Sequence, residues 1–110
     1  MKYDKGIDIA LNLYSPEKAG QCYQATRFLI EKYPELKEEI VQIKNNEGDI
    51  KHCIAIMPDG RIIDTQHIQF GLVLPISSKF ENIFIFTRAE HEKYLPRFEY
   101  AEQGYKRPCC

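Results

Sequence analysis

Cys22, His52 and Asp64 are the three side chains whose types and positions would together support a reaction. The cysteine stands in Gly20-Gln21-Cys22-Tyr23-Gln24-Ala25, where an apolar helical stripe begins. The histidine opens His52-Cys53-Ile54-Ala55-Ile56-Met57, and the aspartate follows Arg61-Ile62-Ile63. A thiolate is the reactive form of cysteine, and a helix N-terminus and an adjacent imidazolium both stabilise it. A carboxylate beside the imidazole fixes its tautomer, and the imidazole can return a proton to a leaving group. The chemistry would be nucleophilic attack at an amide carbonyl. The backbone N–H of Cys22, in the first helical turn, is one candidate oxyanion donor; the amide of Gln21 or of Gln66 is a second, and the sequence leaves both open.

Each residue also has a plainer reading. Cysteine is among the most buried residue types, so an inward Cys22 can simply be core. His52 can be an inert residue at a strand start, and Asp64 an edge residue solvating a hairpin. The ordered set on helix, strand and partner strand is what favours chemistry over these.

The elements that must position the set are legible in part. Ile7, Ala10, Leu11 and Tyr14 recur at helical spacing, which predicts an amphipathic helix over 4–14, interrupted at Ser15-Pro16. Ala25, Phe28, Leu29 and Tyr33 predict a second helix ended by Pro34, with Cys22 continuing its inward stripe back to the first turn. A charged connector over 35–39 precedes a strand, Ile40-Val41-Gln42-Ile43-Lys44, and 45–49 reads as a loop. Pro58-Asp59-Gly60 predicts a hairpin with a three-residue loop and a left-handed glycine. Met57 then faces Arg61, Ile54 faces Asp64, and His52 faces Gln66. His52 and Asp64 become diagonal neighbours on one sheet face, with roughly 7 Å between their backbones. A two-residue loop would shift the register by one and send Asp64 to the other face. Asn82-Ile83-Phe84-Ile85-Phe86 reads as a buried strand, and Thr87-Arg88-Ala89-Glu90 as a capping box opening a last helix that ends near Pro96. Helices first and a mainly antiparallel sheet afterwards predict an α+β fold, one domain over 1–110 with a frayed tail at 103–110.

The "GQC" start of a helix, a histidine opening a strand, and "DG" followed by "IIDTQ" resemble the papain-like cysteine superfamily. The resemblance is strongest to the small papain-fold toxin domains of bacterial polymorphic toxin systems, and "GQC" and "D-T" are also similar to transglutaminases. It covers about residues 18–71. It implies a compact papain-like domain in which Cys22 is the nucleophile, His52 the general base and acid, and Asp64 the orienting residue. It implies a thiol hydrolase or acyltransferase (peptidase, deamidase or transglutaminase-like), with a protein substrate and a cognate immunity protein as partners. Transglutaminases carry a tryptophan that helps shape their site, and this chain has none. The alternative class is a non-catalytic binding module of immunity or partner type, with Cys22 in its core.

Composition narrows the classes further. With 15 Lys+Arg against 16 Asp+Glu the charges nearly cancel and are scattered, so nucleic-acid binding is not expected. A hydrophobic fraction of 44% is that of a globular chain. No N-terminal signal core and no bilayer-length apolar run are present, so no membrane association is expected, and the expected location is cytoplasmic or a target-cell cytoplasm after delivery. Neither C-x-x-C nor H-x-x-x-H spacing occurs, and no metal or cofactor is expected. A Cys22–Cys53 disulfide is a further possibility; strand alternation places Cys53 opposite His52, in the core. His67 and His91 are expected on the surface, and Cys109 and Cys110 in the tail.

Overall fold

The Pro58-Asp59-Gly60 turn sets the geometry of everything after it. In a computed structural model, which describes residues 2–14, 21–45, 48–66, 84–94 and 98–100, the Met57 N–H donates to Arg61 O at 2.8 Å and the Gly60 N–H to Met57 O at 2.9 Å. Gly60 has φ of 90°, the left-handed residue that this loop needs. Asp59 braces the turn by accepting the Arg61 backbone N–H at 3.0 Å and its Nε–H at 2.8 Å. Ala55 pairs with Ile63 and Ile56 with Ile62, which is the register expected from the turn.

The elements run α1 (Asp4–Leu13), α2 (Cys22–Lys32), β1 (Lys37–Asn45), β2 (Gly48–Ile56), β3 (Ile62–Ile63), β4 (Ile85–Phe86), α3 (Arg88–Tyr94) and β5 (Phe98–Tyr100). The strands form one sheet in the order β4-β3-β2-β1-β5, and each described pairing is antiparallel. The fold class is α+β, as the sequence predicts.

Helices α1 and α2 lie on one face of the sheet. Ile7 and Ala10 of α1, Leu29 of α2, Ala55 of β2 and Ile63 of β3 form one buried cluster. Each large aliphatic side chain buried there contributes about 2 kcal/mol. Pro34 stops α2, leaving Tyr33 at the cap outside the helical region, with φ of −128° and ψ of 85°, since the residue before proline avoids helical angles. Tyr33 then lies across α1, where its hydroxyl accepts the Gly6 N–H at 3.1 Å. A Cβ at residue 6 would run into that ring.

The second face carries His52 and Ile54, because side chains alternate along β2. Here α3 docks. Thr87 and Glu90 form the expected capping box, with Thr87 N–H to Glu90 Oε1 at 2.8 Å and Glu90 N–H to Thr87 Oγ1 at 3.1 Å. Arg88 grips Glu39 of β1 through two N–H···O bonds of 2.9 and 3.2 Å.

Three expectations change. The connector at 35–39 is shorter, because Lys37, Glu38 and Glu39 pair with β2 and full-length pairing overrides their weak strand propensity. The loop at 45–49 narrows for the same reason, Asn45 pairing with Gly48. His52 therefore lies midway along β2 rather than at its start, and β5 adds a strand that no sequence pattern predicts. The expected features at Ser15-Pro16, Asn82-Ile83, His67, 103–108, Cys109 and Cys110 lie outside the described residues.

Gly60 gives a direct test of the turn. A Cβ there meets open space, so the cost of Gly60→Ala is backbone strain alone. We expect a loss of about 1 kcal/mol in thermal or denaturant unfolding; unchanged stability would contradict the left-handed assignment.

Candidate functional site

Asp64 leaves β3 still tied to its neighbour, its N–H donating to Phe84 O at 2.9 Å. Its carboxylate turns to the second face and is 1% exposed, with His52 and His91 both at 0%. Oδ1 accepts from His52 Nε2 at 2.9 Å and from the Gln66 backbone N–H at 3.1 Å. Oδ2 accepts from His91 Nε2 at 2.8 Å. An ionised carboxylate only accepts, so both rings carry a proton on Nε2, an assignment that follows from the hydrogen-bond network. The basic nitrogen of neutral His52 is then Nδ1.

The charge state of Asp64 follows from opposing effects. Burial by itself pushes its carboxyl up. The charge and hydrogen bond of His52, and then those of His91, outweigh burial and hold it below the usual carboxylate range.

Cys22 is the first residue of α2, with Gln21 at the N-cap. The first helical hydrogen bond, Ala25 N–H to Gln21 O at 3.0 Å, comes after it, so the Cys22 N–H lies at the positive end of the helix dipole. The sulfur accepts from the Cys53 N–H at 3.3 Å. It packs with Ile40 and Cys53 on the helix-covered face, opposite His52. Thr26 Oγ1–H, one turn on, donates to Cys53 O at 3.2 Å and clamps α2 to β2.

Of the predicted set, His52 and Asp64 are thus hydrogen-bonded, and the Cys22 sulfur reaches the peptide that joins His52 to Cys53. Cys22 is not the half-exposed thiol that an accessible nucleophile requires: it is 0% exposed. It also takes part in a disulfide that does not involve Cys53, which is a free buried thiol. The Cys22–Cys53 pairing is therefore absent. Burial foremost, then the negative charge of Glu38, pushes the Cys53 thiol up to about 12, so it stays neutral core as expected.

The two amide candidates separate. Gln66 spends its side-chain N–H groups on Tyr14 O and Thr65 Oγ1, both at 3.3 Å, and its backbone N–H on Asp64. It serves the carboxylate rather than an oxyanion. Gln21 keeps its place beside Cys22, with Oε1 buried and without a hydrogen-bond partner among the described residues.

His91 corrects the sequence reading. Expected on the surface, it is fully buried, its ring 5.5 Å from Phe86 and edge-on to it. The signal that locates it is the capping box, which fixes the start of α3 and turns the fourth residue after Thr87 inward. Among the described residues no group of three or more His, Cys, Asp or Glu is arranged to hold a metal ion, and no helix is long and apolar enough to cross a membrane.

Compared with protein-family models, with curated proteins and with solved structures, the chain matches none.

A depressed carboxyl stabilises the fold above its unfolded value and loses that contribution as pH falls toward its folded value. Asp64→Asn leaves one acceptor where two imidazoles need one each. We expect it to cost about 3 kcal/mol at neutral pH, as breaking a buried pair does. The difference from wild type should shrink as pH drops below about 4. Urea unfolding of both proteins across that range checks this, and a pH-independent difference would contradict it.

Proposed function

We propose that the reduced protein is a thiol-dependent hydrolase or acyltransferase acting at amide bonds of a protein target. The observation that carries this reading is the 2.9 Å hydrogen bond between His52 Nε2 and Asp64 Oδ1, formed beside the peptide that the Cys22 sulfur touches. Asp64 holds the Nε2–H tautomer, and Nδ1 is the nitrogen that exchanges protons. An external thiol reductant, itself oxidised to a disulfide, restores the Cys22 thiol. Once the sulfur leaves the helix-covered face and comes round to His52, the thiol proton passes to Nδ1 and leaves a thiolate at the start of α2. The thiolate adds to the carbonyl carbon. The oxyanion is met by the Cys22 N–H and an amide of Gln21, and the His52 imidazolium protonates the departing amine. Water or a second amine then takes the acyl group, with His52 as base.

The resemblance to papain-fold toxin domains supports a biological role as a bacterial toxin-type effector that cleaves, deamidates or crosslinks a cytosolic protein, held in check by an immunity protein. Substrate attack requires the sulfur to become accessible, so a movement of the Gln21–Cys22 corner is part of the reading.

One observation favours a second reading. Cys22, His52, Asp64 and His91 are all buried to within 1%, which suits a polar anchor inside a non-catalytic binding module. Activity decides between the two. Wild type, Cys22→Ala, His52→Ala and the double variant are induced in cells, and proteins cut or shifted by one mass unit are profiled after reduction. The enzyme reading expects changes only with wild type, and a double variant no worse than either single one, because the residues act as a unit. Substrate turnover persisting in Cys22→Ala, or no turnover by reduced wild type, would overturn it.

A further inference from the structure

Asp64 holds two histidines, and the reaction proposed above uses only one. We propose that His91 is a positioning residue that fixes the Asp64 carboxylate and, through it, the orientation and tautomer of His52; as a role in catalysis this rests on the proposed function, but the structural effect does not.

The geometry favours a second donor. A carboxylate can turn about its final torsion, and a single imidazole on one oxygen leaves that torsion loosely set. Here His52 and the Gln66 N–H approach Oδ1, while His91 approaches Oδ2 at 2.8 Å. With donors on both oxygens the carboxylate plane has one orientation, and Oδ1 stays aimed at His52 Nε2. Burial makes the arrangement strict, since a carboxylate oxygen away from water must find a donor or carry the full desolvation cost.

His91 is itself braced from several directions. The capping box fixes the start of α3, the His91 N–H donates to Thr87 O at 2.9 Å, Phe86 packs edge-on to the ring, and the Arg88–Glu39 fork ties the helix to β1. A residue held this firmly transmits its position. Second partners that orient a functional imidazole usually matter for that reason.

Proton NMR of imidazole N–H groups in uniformly labelled protein tests the proposal without using activity. At about pH 8, above the ordinary imidazole range, wild type should give two downfield, slowly exchanging Nε2–H signals, one from each histidine. In His91→Phe the His91 signal vanishes and the His52 signal should move upfield and exchange faster with water, because the carboxylate is no longer fixed. In His91→Gln, whose amide can still donate to Oδ2, the His52 signal should return toward its wild-type position. A His52 signal unchanged in His91→Phe would overturn the proposal, leaving His91 as packing. Should His91→Phe fail to fold, wild type and His91→Gln decide: a single carboxylate-bonded signal in wild type, or a His52 signal in His91→Gln lost despite a native fold, also overturns it. Where the signals behave as expected but no amide is cleaved by the reduced protein, the positioning role stands and the proposed reaction falls.

Discussion

A carboxylate that is 1% exposed must be surrounded by donors, and the second face of the sheet is organised around that need at Asp64. Its donors come from three places in the chain: His52 midway along β2, the Gln66 backbone just beyond β3, and His91 on α3. None can be moved independently. The hairpin register delivers Asp64 to the face of His52, and the short extension of β3–β4 pairing at Phe84 delivers the chain to α3. The capping box and the Arg88–Glu39 pair then bring His91 into reach. A one-residue slip of the turn would place Asp64 among the apolar side chains under α1 and α2, where no imidazole waits.

The sulfur belongs to a different layer. Cys22 opens α2 on the helix-covered face, clamped to β2 by Thr26 and seated on the Cys53 N–H. The strand therefore lies at the boundary between a nucleophile candidate and its base, and the His52–Cys53 peptide is where the two layers meet. This arrangement explains how the same residues support both a catalytic and a purely structural reading. The disulfide at Cys22 adds a condition, since the sulfur has nothing to donate to a carbonyl until it is reduced. Cys53, one residue from His52, stays neutral because burial holds its thiol far above neutrality.

What could be read from the sequence was mostly local. Pro58-Asp59-Gly60 encodes its own loop and, through it, the His52–Asp64 pairing across twelve residues. Thr87 and Glu90 encode the start of α3, and Pro34 the end of α2. The misreadings are all long-range. Lys37, Glu38 and Glu39 look like a connector by composition and become strand only because β2 pairs with them. His91 looks like a surface residue because its burial depends on a carboxylate 27 positions earlier and on a helix whose docking is set by Glu39. Phe98–Tyr100 carry too short a pattern to be recognised before β1 offers them an edge. The depth of Cys22 was likewise invisible: a stripe gives direction toward the core, not how much lies above it.

The central claim is that Cys22, once reduced and moved off the helix-covered face, forms one ionisable unit with His52. Iodoacetamide alkylation of the folded, reduced protein against pH, with mass spectrometry to separate Cys22 from the other cysteines, tests it most directly. The account predicts a midpoint for Cys22 clearly below about 8.5, the value of an unperturbed thiol, and a rise of that midpoint in His52→Ala. A midpoint at or above that value, or a Cys22 that reacts only once the protein unfolds, would contradict it.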